Sequence, residues 1–175
     1  EGAKHVLSWK SPNYVYSSSA APKLKVLLRN TTLSDELAFH FSDSTWHNFP
    51  MDAEKFATAL ATLPEEEQVI NIWVGAETFG IRQPAASGIF DFLKALPYYA
   101  MEQEMGFMTP SEVAKKFAAS DAVVVPYPLT WAGEGKDLST YNGNDLQQEA
   151  VQKLYAVAER VHLCKDKQLK HDWLI

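Results

Sequence analysis

A single cysteine, Cys164, stands in 175 residues, and that count excludes both an internal disulfide and a thiolate metal cage. The stretch "ERVHLCKDK" sets Cys164 at helical spacing from Leu154 and Val161, which reads as a small core or boundary residue rather than a reactive thiol. So sparing a use of cysteine points to a reducing, cytoplasmic compartment. No run reaches the ~18 apolar residues of a membrane span, and the opening "EGAKHVLSWK" does not read as a signal peptide. Positive charge is scarce too. Against 22 acidic side chains there are 16 basic ones, a net charge of −6, with no Lys/Arg cluster to track a phosphate backbone. Nucleic acid and membrane are therefore not expected partners.

Several catalytic patterns are missing as well. His5, His40, His47, His162 and His171 show neither HxH nor HExxH spacing, so no metal is expected. The stretch "GAETFG" (75–80) has neither the Lys of a phosphate-binding loop nor its glycine spacing, and no GxSxG elbow supports a serine nucleophile. No cofactor is expected.

What is present is ordinary for a globular chain: 46% hydrophobic and 22% charged residues, enough for a sizeable core in one segment, 1–175. "KLKVLLRN" (23–30) and "QVINIWVGA" (68–76) read as buried strands, and "DAVVVPYP" (121–128) as a third that Pro126 ends. Between them, helices are expected in "LSDELAFHFS" with Ser34 as cap, over 52–63 with Asp52 as cap, and over 87–96 up to Pro97. Another is expected at 109–118, opened by Thr-Pro. A long amphipathic helix, "DLQQEAVQKLYAVAERVHLC", closes the chain after a loop at 129–144 too long for a bare connection. Strands alternating with helices imply an α/β fold with parallel strands and flanking helices. Three strands are few for this length, so the segment reads as part of a larger α/β layer or barrel.

Sites in such folds sit at the carboxyl ends of strands. Three ends, "RNTTLSDE", "GAETFGIRQ" and "YPLTWAGEGKD", offer Arg29, Asp35, Glu36, Glu77, Arg82, Trp131, Glu134 and Asp137. Carboxylates beside an aromatic platform suit a sugar, but solvated loops with ordinary caps carry the same residues. Both readings stand at this point.

The same strand ends resemble glycoside hydrolase family 57, retaining enzymes of the α-amylase type. "SWKSPNYVY" resembles the family's Arg-Ser-Pro-Asn segment, and "LLRNTTLSDELAFHFS" its Arg-Asn-Thr-Glu-Leu stretch. "WVGAETFG" is similar to Asp-Tyr-Glu-Thr-Phe-Gly, and "LTWAGEGKDLSTYNGNDLQQEA" to the family's Ser-Trp-Ala…Asp…Gly-Asn…Gln-Gln segment. The resemblance implies the later part of an incomplete seven-stranded (β/α) barrel. The first half, or a self-associated copy, would cover the open sheet edge. It also implies an α-glucan or maltooligosaccharide as ligand.

Carried over position by position, the resemblance puts Thr32 where the family has its nucleophilic Glu, and Gly75 where it has its acid/base Asp. Arg82 stands where the family often has His, while Glu77, Trp131 and Asp137 are kept. A retaining glycosidase needs two carboxyl groups ~5–5.5 Å apart. A threonine hydroxyl without a base is a poor nucleophile, and loss of the general acid alone costs ~10²–10⁴-fold. The expectation is an inactive relative that binds glucan through Trp131, Asp137, Arg82 and Glu77. Two alternatives remain open: an active hydrolase or glucanotransferase using displaced carboxylates Asp35 and Glu77, and a structural or interaction domain without sugar affinity.

Overall fold

The computed structural model describes residues 3–130, 132–133 and 135–174. The chain divides into two compact units, Glu1–Pro126 and Tyr127–Ile175.

The first unit opens with helix α1 (Ala3–Leu7) and strand β1 (Val15–Ser18), followed by β2 (Lys25–Leu27) and, far along the chain, β3 (Asp121–Val123). The sheet order is β2-β1-β3. β1 runs antiparallel to β2, with Tyr16 opposite Val26, and parallel to β3, with Tyr16 opposite Asp121. The fold is α/β, but the sheet is mixed rather than wholly parallel. The reason is local: "YVYSS" supplies a β strand that reaches β2 through a short connection, and a short connection permits only antiparallel pairing. Leu7, Tyr16 and Val123 bury this layer, with Tyr14, Val26 and Leu28 against them.

Helix α2 (Thr31–Asp35) runs straight into a π-turn, Glu36–His40. Its cap is Asn30, whose Oδ1 accepts from the Leu33 N–H at 3.1 Å, and not Ser34. Ser34 is instead fully buried. Helix α3 (Ala53–Ala61) does begin at Asp52, whose side chain accepts from Lys55 N. Helix α4 (Ile89–Glu102) passes through Pro97 instead of stopping there. Proline removes one helical bond, but Phe92 and Ala100 on either side of it are buried, and Leu96 and Tyr99 pack on the same core. That apolar face carries the helix through. Phe56, Phe92 and Phe41 meet edge-on, with Phe92 5.2 Å from Phe41 and 5.6 Å from Phe56. Fully burying each such ring contributes roughly 1.5–3 kcal/mol. Helix α5 (Pro110–Lys116) starts with a reciprocal capping box between Thr109 and Glu112.

Residues 68–75 form no strand and join no ladder. Ile70, Ile72 and Val74 pack on the helical core. The backbone of this stretch is held by single bonds: Gln68 and Val69 N–H donate to Asn13 O, and Asn30 N–H donates to Asn71 O at 2.9 Å.

In the second unit, the helix expected over 145–164 is broken at Val157 into α7 (Asp145–Ala156) and α8 (Ala158–Leu163). Before them comes a single turn, α6 (Ser139–Asn142), and after them α9 (Lys167–Leu174). Cys164 caps α8 and is half-buried. No helix among the described residues is long and apolar enough to cross a membrane.

Candidate functional site

Two segments of the first unit, 29–42 and 71–83, carry most of the residues singled out from sequence, and the fold brings them together. Asn30 starts α2, so Thr32 and Asp35 lie one turn apart on a helix rather than at a strand end. Thr32 is exposed, and its hydroxyl makes no hydrogen bond among the described residues. Asp35 is engaged: Arg29 Nη2 donates to its Oδ1 at 2.6 Å.

The second segment is tied to the first by several hydrogen bonds, among them the Asn30–Asn71 bond already described. Arg29 Nε donates to Trp73 O at 2.7 Å, and Trp73 N–H donates to the buried Ser34 Oγ at 3.1 Å. Gln83, itself buried, donates to Ala38 O at 3.0 Å and accepts from Ser42 Oγ at 2.6 Å. A π-turn misaligns its own carbonyls with its own N–H groups, and Gln83 supplies the missing donor at Ala38. Arg82 lies over the Phe39 ring, 4.9 Å from its centre.

The loop 75–83 also closes on itself. Thr78 N–H donates to Gly75 O, Arg82 N–H to Glu77 O, Gln83 N–H to Thr78 O and Gly80 N–H to Gln83 O. Gly80 has φ +101°, a conformation that suits glycine. Gly75 itself is extended (φ −67°, ψ 147°), so its lack of a side chain is not required by its backbone. The space a Cβ would take there is filled by the Glu77 carboxylate. Arg82 Nη2 holds that carboxylate at 3.1 Å, with about half of each side chain exposed.

Glu36 goes elsewhere. Its Oε1 accepts from Asn48 Nδ2 at 3.1 Å, in an open groove of about 610 Å³ whose lining also includes His47, Phe49, Met51 and Thr58 but neither Asp35 nor Glu77.

In the second unit, Asp137 borders a groove of about 520 Å³ with Tyr127, Leu138 and Asn142. Its Oδ1 accepts from Ser139 N–H at 2.9 Å. Hydrogen bonds from Ser139, side chain and then backbone, hold the Asp137 carboxyl below the usual carboxylate range. Trp131 and Glu134 lie outside the described residues. No group of three or more His, Cys, Asp or Glu among the described residues is placed to hold a metal.

Sequence reasoning passed over Trp73, counted as a strand interior residue yet 55% exposed beside Gly75. The signal was alternation: with Ile70, Ile72 and Val74 inward, residue 73 must face out. It also passed over the network behind the site. Ser11 and Asn13 donate to Glu67, Asn30 Nδ2 donates to Asn13 Oδ1 at 3.1 Å, and Asn30 caps α2. The Ser-Pro-Asn segment thus positions the helix that carries Thr32.

Compared with known proteins, residues 1–126 match the family model described as glycosyl hydrolase family 57, and the match ends where the first unit ends. A protein of Methanocaldococcus jannaschii named "Putative alpha-amylase" is 38% identical over 157 residues, covering 88% of this chain and 33% of that protein. The chain therefore spans about a third of the length of this relative. No solved structure matches it.

Proposed function

The chain belongs to glycosyl hydrolase family 57, and from that premise we propose that it is an α-amylase-like member that binds α-glucan without hydrolysing it. The observation that carries this reading is the pair Thr32 and Gly75 at the positions that the resemblance gives to nucleophile and acid/base. Neither side chain can supply a carboxyl group. The carboxylates nearest in sequence do not replace them freely, because Asp35 is bound to Arg29 and Glu77 to Arg82. A retaining mechanism needs one carboxylate to attack and one carboxyl to give up a proton, ~5–5.5 Å apart. Here each candidate already accepts from a guanidinium.

Binding asks less of the site. Arg82 and Glu77 offer a donor and an acceptor on the first unit, and the resemblance gives Asp137 and Trp131 a part in binding as well. A few polar contacts and one stacked ring give an affinity roughly in the millimolar range, about −4 kcal/mol. The same reading has the protein act in carbohydrate metabolism in the cytoplasm, with the first half of a barrel, or a second copy, supplying what the mixed sheet lacks.

A second reading, hydrolysis by Asp35 and Glu77, draws on their placement in two segments that the fold bonds together. Titration with maltooligosaccharides, run beside a hydrolysis assay on the same samples, tests both. Saturable binding with no released sugar supports the proposal. Released reducing ends that vanish in Glu77→Gln support the second reading. No binding and no release would leave an interaction domain.

A further inference from the structure

Residues 72–75 alternate in exposure. Ile70, Ile72 and Val74 pack on the helical core, whereas Trp73 and Gly75 face outward. With Val74 inward between them, Trp73 and Gly75 share the outer side, no more than about 6–7 Å apart along the chain. The Trp73 indole and the surface above Gly75 are thus neighbours on one face. That surface is not bare, since the Glu77 carboxylate lies over the Gly75 Cα and is held by Arg82.

Three properties of this arrangement bear on a ligand. The Trp73 backbone is pinned at both ends of its peptide, by Ser34 at its N–H and by Arg29 at its carbonyl, so the exposed ring stands on a fixed base. The carboxylate uses Oε1 for Arg82, and among the described residues no donor reaches Oε2. The guanidinium uses Nη2 for Glu77 and lies on the Phe39 ring, which leaves its other N–H groups for a ligand.

We propose that Trp73, Glu77 and Arg82 form a platform for one neutral sugar ring, with the indole under its apolar face and the Glu77–Arg82 pair on a vicinal diol. A diol matches because each hydroxyl both donates and accepts, so one can donate to Oε2 while its neighbour accepts from Arg82. An anion does not match, because it would meet the Glu77 charge beside the arginine. Gly75 belongs to the platform: a side chain there would expel the carboxylate. This inference rests on the α-glucan-binding reading and states where on the first unit a glucose unit sits.

The test is a titration of the intact chain with maltotriose, followed by tryptophan fluorescence and by NMR line positions. Trp73→Ala and, separately, Arg82→Gln are expected to weaken association by about tenfold or more, the scale at which a buried Trp or Arg anchor counts. Each side chain is about half exposed, so the thermal transition should shift little. Inorganic phosphate should not compete. If wild type binds maltotriose and both variants bind it equally well, the platform is wrong while the glucan-binding reading stands. Competition by phosphate at concentrations comparable to the sugar would mark an anion site and also overturn it. If wild type binds no maltotriose, the glucan reading fails and takes this inference with it.

Discussion

The carboxylate of Glu77 occupies the place where a Cβ on Gly75 would sit. Two positions that the family resemblance treats as separate are therefore one unit here, because the residue without a side chain makes room for the side chain two places on. Arg82 completes the unit with its hydrogen bond to Glu77.

Gly75→Ala should expose this coupling. Alanine suits the extended backbone and should stabilise by about 0.4–1 kcal/mol through the unfolded chain. Displacing Glu77 from Arg82 costs about 0–1 kcal/mol, as for other half-exposed ion pairs. The two effects should nearly cancel in wild type, while Gly75→Ala should be net stabilising in a Glu77→Ala background. Urea unfolding of the four proteins in a double-mutant cycle measures the difference. Strict additivity would mean that the two residues do not share this space.

Gln83 joins the two segments. Gln83→Ala leaves the buried Ala38 O without its donor, and a buried polar group left unsatisfied costs about 1–3 kcal/mol, whereas the exposed Ser42 Oγ can turn to water. The unfolding midpoint should fall accordingly. Amide exchange should quicken in 36–42 more than in α3, and uniform quickening would argue that Gln83 is not specific to the π-turn.

Asn30 is the cap of α2 and the end of the hydrogen-bond chain from Glu67. Asn30→Ala should cost about 0.5–2 kcal/mol as a lost cap. Asn30→Ser should recover part of it, since serine still accepts from Leu33 N–H. A serine variant as weak as alanine would put the weight on the Asn13 contact instead.

Acid should loosen the first unit. Asp121 is held below its ordinary range by the Lys10 ammonium and by Ala122 N–H, and Glu112 by the Thr109 cap. Groups whose folded value is depressed contribute stability that is complete above the unfolded value and is lost as pH falls through the folded one. Stability should therefore be level near neutrality and decline below about pH 4, the unfolded carboxylate value. Unfolding midpoints from pH 7 to 3 test this, with Glu112→Gln expected to lower the neutral plateau and flatten the decline. Stability that rises on acidification would contradict it.

The parts legible in the sequence are those decided by neighbours along the chain. Asp52 before α3 and the Thr109–Glu112 box before α5 announce their helices because a cap is satisfied within three residues. Longer-range competition hid the rest. Ser34 looks like a cap until Trp73, distant in sequence, takes its hydroxyl. Pro97 looks like a stop until the core beneath Phe92 and Ala100 outweighs one lost bond. Residues 68–75 look like a strand, yet a strand needs a neighbour, and here scattered backbone and side-chain bonds stand in for a ladder. Thr32 and Gly75 could be singled out only through the resemblance, since nothing local marks a threonine or a glycine as a missing carboxylate.

The proposed reading has this family member bind glucan without hydrolysing it. The direct measurement is release of reducing ends from starch and from maltotriose, maltopentaose and maltoheptaose. Glu77→Gln and Asp35→Asn serve as paired controls. Rates equal to the protein-free background are expected for all three proteins. Turnover above background that either substitution abolishes would contradict this reading and assign the reaction to the displaced carboxylates.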